Sequence, residues 1–356
     1  MGVFNAVSFD EHEQLVFGHD RASGLRAIVA VHDTTLGPAV GGCRMYPYAS
    51  EAAAVEDVLR LSRGMTYKSA LAGLPLGGGK SVIIGDPATD KTRSLMLAMG
   101  RFVDSLGGRY VAAEDSGTGV DDLRVMGETT AHVSGIATTE YGGDPSPSTA
   151  LGVFLSIRGA LAHRLGCDDL RGVRVAIQGL GHVGFDLARR LVAAGAQVMA
   201  SDRSVQRIER AEHELGVQRV SIDDVMGADV DVLAPCALGG VLNRESIPEI
   251  RAGIVAGAAN NQLQQGSDAD LLADRGILYC PDFLINAGGI IDVYYQRSDQ
   301  DRRNLEAHIA GIVDRLGEVM QRADKSHRST AVIAEELARE LLARHVKSPS
   351  QARIAA

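Results

Sequence analysis

The stretch Val173-Arg174-Val175-Ala176-Ile177-Gln178-Gly179-Leu180-Gly181-His182-Val183-Gly184 decides the fold of this chain. Its first half is short and rich in β-branched residues, which predicts a strand over Val173 to Gln178. Its second half fits G-x-G-x-x-G and opens a helix predicted over Val183 to Ala194. The pattern alone is weak. Strand, glycine turn and helix in that order are the setting in which it binds a dinucleotide. Gly179 permits the tight turn, Gly181 lets a pyrophosphate approach the backbone, and Gly184 lets helix and strand pack closely. Leu180, His182 and Val183 fall between them, at a helix start whose free N–H groups face phosphates. Asp202 ends the next strand, Gln197 to Asp202, where an acid binds the adenosine ribose hydroxyls and repels a 2′-phosphate. NAD is therefore expected ahead of NADP, although Arg203, Arg207 and Arg210 sit close enough to leave some NADP use open. The alternative is a glycine-rich turn that binds nothing.

Downstream, the alternation of strand and helix continues. Val205 to Leu215 reads as a helix; Val230 to Ala234, Gly253 to Ala256 and Ile277 to Cys280 read as strands. This is the pattern of a doubly wound parallel sheet. Asn304 to His345 is helical and charged. Upstream, Leu25 to His32, Ser81 to Gly85 and Tyr110 to Ala113 read as strands. A helix capped by Ser50 runs on towards Met65 and Lys68, and another covers Thr92 to Leu106. Glycine and proline cluster from Tyr141 to Ser148, which predicts a hinge, and a long apolar helix follows.

Bulk properties bound the function. At 356 residues the chain exceeds one ordinary core, so two domains are expected. A net charge of −9, few aromatics and no tryptophan argue against a nucleic-acid groove or an anionic membrane as the main partner. No run approaches the ~18 apolar residues of a membrane span. The N-terminus lacks the basic and apolar regions of a signal peptide. Cys43, Cys167, Cys236 and Cys280 are scattered without metal or redox spacing, and no HExxH occurs, so no metal site and a reduced, cytoplasmic chain are expected.

The first third holds a second unusual stretch, Met65-Thr66-Tyr67-Lys68-Ser69-Ala70-Leu71-Ala72-Gly73-Leu74-Pro75-Leu76-Gly77-Gly78-Gly79-Lys80. Two lysines flank an almost charge-free segment. An ammonium near a second cation and away from water gives up its proton more easily and can act as a base. Three glycines before Lys80 would let a ligand lie against the backbone. The alternative is a surface turn with two solvated lysines. Beside a hydride-accepting domain, Lys68 can pair with a substrate carboxylate, Lys80 can serve as base, and Asp115, closing a strand, can exchange protons with an amine.

These motifs together resemble the glutamate/leucine/phenylalanine/valine dehydrogenase family. The matching segments are Pro38 to Met45, Met65 to Lys80, Ala113-Glu114-Asp115, Ser148-Thr149-Ala150, Gly179 to Gly184, Ala234 to Gly240, Ala258 to Leu263 and Ile285 to Gly289, so the resemblance spans nearly the whole chain. It implies an N-terminal α/β substrate domain over 1–147, a Rossmann-type doubly wound NAD domain over 148–322, and C-terminal helices over 323–356 returning to the first domain. It implies reversible oxidative deamination of an L-amino acid to a 2-oxo acid and ammonia. Lys68 would hold the carboxylate, with Gly41, Gly42 and Met65 nearby; Lys80 would activate water; Asp115 would carry the amine protons. Thr149, Cys236, Ala237, Asn260 and Asn261 would lie near nicotinamide and substrate, and Arg203 beside Asp202. A homo-oligomer is implied.

By the same resemblance Val40, Ala113, Ile290 and Val293 line the end of the substrate pocket. All are apolar, which disfavours glutamate. A valine rather than a leucine at position 40 makes room for a ring, and the run from Gly289 to Tyr295 is most like phenylalanine dehydrogenase. L-Phenylalanine is the expected substrate, with leucine or valine as the alternative. A non-catalytic NAD-binding regulator and a hydroxy-acid dehydrogenase are the readings from other classes.

Overall fold

Runs of β-branched and small residues in the first third build a five-stranded mixed sheet. The computed structural model describes residues 2–136, 144–298 and 300–346. In chain order the elements are β1 (Gln14–Asp20), β2 (Leu25–Asp33), β3 (Ala39–Tyr46), α1 (Glu51–Leu71), β4 (Gly77–Ile84), α2 (Arg93–Asp104), β5 (Tyr110–Ala113) and α3 (Val120–Gly127). The strand order is β1-β2-β4-β3-β5, with β3 parallel to β4 and β5 and the β1–β2 and β2–β4 pairs antiparallel. One face packs Cys43, Met45, Met99, Tyr110, Leu123 and Met126 into a core with α2 and α3. The other packs Ile28, Ala30 and Val82 against Val55, Val58 and Leu59 of α1. As expected, Ser50 caps α1, its Oγ accepting from the Ala53 N–H at 3.1 Å.

Two differences from the sequence reading concern this sheet. The glycines before Lys80 lie inside β4, not in a ligand-facing loop. A side-chain carbon at Gly78 would meet the Thr66 backbone nitrogen at 2.1 Å, and one at Gly79 would meet the Tyr110 ring at 2.7 Å. Their lack of side chains lets α1 and Tyr110 press onto the strand. In addition, β1 and β3 join the sheet although the sequence reading assigned neither as a strand.

Behind α1 lie two buried histidines with rings 4.7 Å apart. His12 Nε2 bonds with the Leu59 carbonyl and the Ser62 hydroxyl, both at 3.0 Å, and His32 Nδ1 with the Thr66 hydroxyl at 2.8 Å. Burial, then the charge of His12, pushes His32 down from 6.5 to about 4. The unfolded chain therefore takes up a proton below about pH 6.5 that the folded chain refuses until about pH 4. Stability present above that window is lost as pH falls through it. The stability gap between wild type and His32→Gln, measured by urea unfolding, is expected to shrink by about 2 kcal/mol between pH 7 and pH 5.

The second sheet follows α4 (Ser146–Leu165). Its elements are β6 (Arg174–Gln178), α5 (His182–Ala193), β7 (Gln197–Ser201), α6 (Val205–Leu215), β8 (Gln218–Arg219), β9 (Val232–Pro235), β10 (Ile254–Val255), α7 (Asp268–Asp274) and β11 (Leu278–Tyr279). Then come α8 (Asp282–Ile285), α9 (Gly288–Arg297), α10 (Leu305–Ser326) and α11 (Thr330–Val346). The order β11-β10-β9-β6-β7-β8 is parallel throughout, and the direction of winding reverses beside β6. That reversal is where a doubly wound sheet opens a crevice for a ligand.

The chain divides into two compact units: Met1–Asp144 with Gln296–Ser298 and Ala338–Ala356, and Pro145–Tyr295 with Asp299–Leu337. The final helix α11 crosses back, its residues from Ala338 belonging to the first unit, where Arg339 lies over the Tyr67 ring and meets Asp10 at 3.2 Å. Of the expected hinge, Tyr141 to Gly143 lie outside the described residues. No described helix is long and apolar enough to cross a membrane.

Candidate active site

In the first unit the register sets Val40, Gly42 and Arg44 of β3 on the face that carries Lys80 of β4, with Val111 and Ala113 beside them on β5. Lys80 and Asp115 form a buried ion pair, their side chains 7% and 11% exposed. Gly42 leaves the space they fill: a side-chain carbon there would lie 2.7 Å from the Asp115 Cβ and 3.0 Å from the Lys80 Nζ. Asp115 sits in a tight turn after β5. Its Oδ1 accepts from the Ser116 N–H at 2.7 Å, its carbonyl accepts from the Thr118 N–H at 2.9 Å, and Thr118 Oγ1 donates to the Cys43 carbonyl at 2.5 Å. Arg44 Nε lies 3.6 Å from Asp115 Oδ2. Burial alone would raise the Asp115 carboxyl, but Lys80 and then Arg44 outweigh it and hold the group down at about 2. The sequence reading set Lys68 beside Lys80; the group the structure pairs with Lys80 is Asp115.

Lys68 stands on the last turns of α1, 9% exposed, and Met65 one turn earlier is half-buried. Thr66 packs against Gly78, so both lysines lie where α1 crosses β4. Tyr110 braces the floor of this region. Its hydroxyl donates to the Gly41 carbonyl at 2.7 Å and shares a hydrogen with Ser81 at 3.0 Å. Val40 is buried and Ala113 is half-buried at the end of β5.

In the second unit the glycine turn follows β6. Gly179 has φ +102°, a conformation that side chains rarely adopt, and a side-chain carbon at Gly184 would strike the Gly179 carbonyl oxygen at 2.0 Å. Around a side-chain position at Gly181 nothing lies within 4 Å, the open space a pyrophosphate needs. Gly181 caps α5 without a side-chain bond, at a helix N-terminus of the kind that suits an anion, and the exposed His182 and half-buried Val183 follow. A cleft of about 440 Å³ opens here, lined among others by Gly179, Gly181, Asp202, Arg203, Cys236 and Ala237. Asp202 Oδ2 accepts from the Leu180 N–H at 2.7 Å, so the ribose-binding candidate also ties down the glycine turn. Arg203 is exposed; Arg207 approaches Asp202 at 3.7 Å, while Arg210 stacks on Phe185 and pairs with Glu214. These residues fit a dinucleotide.

Asn260 and Asn261 stand on a fixed loop. Asn286 Nδ2 donates to Asn260 Oδ1 at 3.0 Å and to the Ala258 carbonyl at 3.1 Å. Asn261 has φ +53°, and its N–H donates to Asp282 Oδ2 at 2.7 Å. Thr149 Oγ1 donates to the Pro145 carbonyl at 3.2 Å, as a helical threonine satisfying its own backbone does. Ile290 and Val293 are buried on α9.

The comparisons with known proteins agree with this geometry. A family model described as Glu/Leu/Phe/Val dehydrogenase, dimerisation domain, matches residues 12–132, and one described as Glutamate/Leucine/Phenylalanine/Valine dehydrogenase matches 200–343. Leucine dehydrogenase from Geobacillus stearothermophilus is 44% identical over 353 residues, covering 98% of this chain and 96% of that protein. The chain belongs to the Glu/Leu/Phe/Val dehydrogenase family. It is an amino-acid dehydrogenase, an oxidoreductase acting on a CH–NH2 group with an NAD(P)-type dinucleotide. Phenylalanine dehydrogenase from Bacillus thermotolerans is 45% identical over 333 residues, 92% of this chain and 87% of that protein. The crystal structure of L-tryptophan dehydrogenase from Nostoc punctiforme superposes with a TM-score of 0.80 at 42% identity, covering 94% of this chain and 97% of that one. A model of the NAD binding domain of D-isomer specific 2-hydroxyacid dehydrogenases also matches residues 158–238, the stretch that holds the glycine turn.

Sequence reading missed several residues that contact the candidate residues in each unit. Tyr110 opens a predicted strand, but its hydroxyl reaches Gly41, far away in sequence. Arg44 lay inside a matching segment, where a charged residue within an apolar, glycine-containing run was the available signal. Asn286 and Asp282 hydrogen-bond Asn260 and Asn261, contacts that no local pattern announces.

Proposed function

We propose that this dehydrogenase catalyses NAD-dependent, reversible oxidative deamination of L-leucine or a similar branched apolar amino acid, giving the 2-oxo acid, ammonia and NADH. The observation that carries the proton chemistry is the buried Lys80–Asp115 pair. Lys68 serves as the fixed cation for the substrate carboxylate, with Gly41, Gly42 and Met65 beside it. The substrate ammonium first gives a proton to Asp115, and NAD at the glycine turn then accepts the hydride, leaving an iminium on the substrate. Lys80 takes a proton from water as the hydroxyl adds to the iminium carbon. That proton passes through Asp115 to the amine, the C–N bond breaks, and the hydroxyl proton returns to Lys80 as the C=O forms. Thr149, Cys236, Ala237 and Asn260 are read as neighbours of the nicotinamide and Asn261 as a substrate contact.

Val40, Ala113, Ile290 and Val293 offer no charge to a polar side chain, which supports an apolar substrate. The leucine dehydrogenases, at 43–44% identity over nearly the whole chain, support leucine. Phenylalanine, the expectation from sequence, is the second reading and rests on the small Val40. Asp202 supports NAD over NADP. The match to a dimerisation-domain model supports a homo-oligomer. Four free cysteines suit the reducing cytoplasm. The test is kcat/KM for L-leucine, L-valine, L-phenylalanine and L-tryptophan with NAD, repeated with NADP. Leucine should lead the aromatic substrates by about tenfold or more. A phenylalanine preference would install the second reading, and a glutamate preference would sink the reading of an apolar substrate.

A further inference from the structure

Asp115 is held by two cations from different strands. Lys80 reaches it from β4, and Arg44 reaches it from β3 at 3.6 Å. Arg44 is itself anchored at its other end, its NH1 donating to Asp57 Oδ2 of α1 at 2.9 Å. Asp57 Oδ2 also accepts from the Tyr48 hydroxyl at 2.6 Å, and Arg60 lies 3.6 Å from its other oxygen. A run of alternating charges therefore crosses the first unit: Lys80, Asp115, Arg44, Asp57. The backbone holds the same join, since the Met45 N–H donates to the Ser116 carbonyl at 3.0 Å and clips the Asp115 turn to β3 beside Arg44.

We propose that Arg44 is a positioning residue for catalysis, which divides the Asp115 carboxylate with Lys80 and, through its anchor on Asp57, fixes the distance and strength of the proton-carrying pair. This rests on the reading of Lys80 and Asp115 as the groups that move protons. Without Arg44 the Asp115 carboxylate faces Lys80 alone, and the pair closes on itself. Loss of a cation strengthens proton binding at every neighbouring site, so the pair holds its proton to higher pH whichever member carries it.

Cys43 of β3, Tyr110 of β5 and Tyr48 ahead of α1 also lie within the field of Asp115, with Asp57 behind Arg44, Glu114 next to it in the chain and Lys68 at the crossing of α1 and β4. Burial pushes the Cys43 thiol up to about 12 and raises both tyrosines, so these three stay protonated through the working range. The movement of the acid limb is left to the ion pair.

The experiment is the pH profile of kcat/KM for the full-length enzyme, comparing wild type with Arg44→Met, Arg44→Gln and Arg44→Lys. The acid limb should move upward by about one pH unit in the methionine variant. The glutamine variant keeps a donor for Asp57 and should show the same movement, which preserves the test if Arg44→Met does not fold. Arg44→Lys restores a cation and should return the limb most of the way. A lower rate on an unmoved limb in the neutral variants would mean that Arg44 is merely structural, and overturns the proposal. Asp115→Asn is run in parallel. If it keeps wild-type activity, the proton-carrying reading of Asp115 falls, whereas a limb that moves on losing Arg44 still supports the grip of Arg44 on the pair.

Discussion

Lys80→Ala should lower kcat by roughly 10⁴-fold while the affinity for NADH stays at the wild-type value. The two outcomes separate because they belong to different parts of the chain. Lys80 lies within β4 of the first unit, whereas the glycine turn, Asp202 and the cleft around them belong to the second. Removing Lys80 takes away the proposed base and leaves Asp115 with Arg44 as a cation beside it. One charge stays compensated, so the fold should survive with some loss of stability. Steady-state rates in both directions and NADH titration by fluorescence check the two halves. Turnover within tenfold of wild type would contradict the assigned role of Lys80.

Gly184→Ala should have the opposite signature: dinucleotide binding is lost and the second unit loses stability. Its added methyl group would lie 2.0 Å from the Gly179 carbonyl oxygen, so α5 has to lift from β6 and carry its N–H groups away from the phosphates. Overpacking of this kind costs about 1–3 kcal/mol, and the Kd for NADH should rise by 100-fold or more, an order-of-magnitude figure of about 3 kcal/mol in binding. Gly181→Ala is the matched comparison. A methyl group there meets no atom within 4 Å. It should leave Tm unchanged and weaken NADH binding, because the methyl group fills space that the pyrophosphate needs. Equal losses of Tm in both variants would mean that the two glycines serve packing alone.

The dinucleotide half of the molecule was legible because its signals are local. β6, the glycine turn, α5 and the acid after β7 are consecutive, and each dictates the backbone of its own stretch. The sheet of the first unit was less legible. β3 carries Gly41 and Gly42 just after Pro38, and such residues read as a loop when strand propensity is weighed alone. Gly77, Gly78 and Gly79 read in sequence as room for a ligand, although that room is occupied by the backbone of Asp33 and Gly37 at Gly77, by Thr66 at Gly78 and by Tyr110 at Gly79. Lys80 and Asp115 were both singled out from sequence, but their pairing was not foreseen, because it needs β3, β4 and β5 side by side. Arg44 and Tyr110 were missed for the same cause: their contacts cross the sheet, and one sequence records no long-range pairing.

The most direct test of the account is ammonia-dependent oxidation of NADH by the purified chain in the presence of 4-methyl-2-oxopentanoate. The account predicts that NADH is consumed only when both ammonium and the oxo acid are present, with L-leucine formed in equal amount. NADH oxidation by the oxo acid without ammonium, or none with ammonium and any apolar 2-oxo acid, would contradict it.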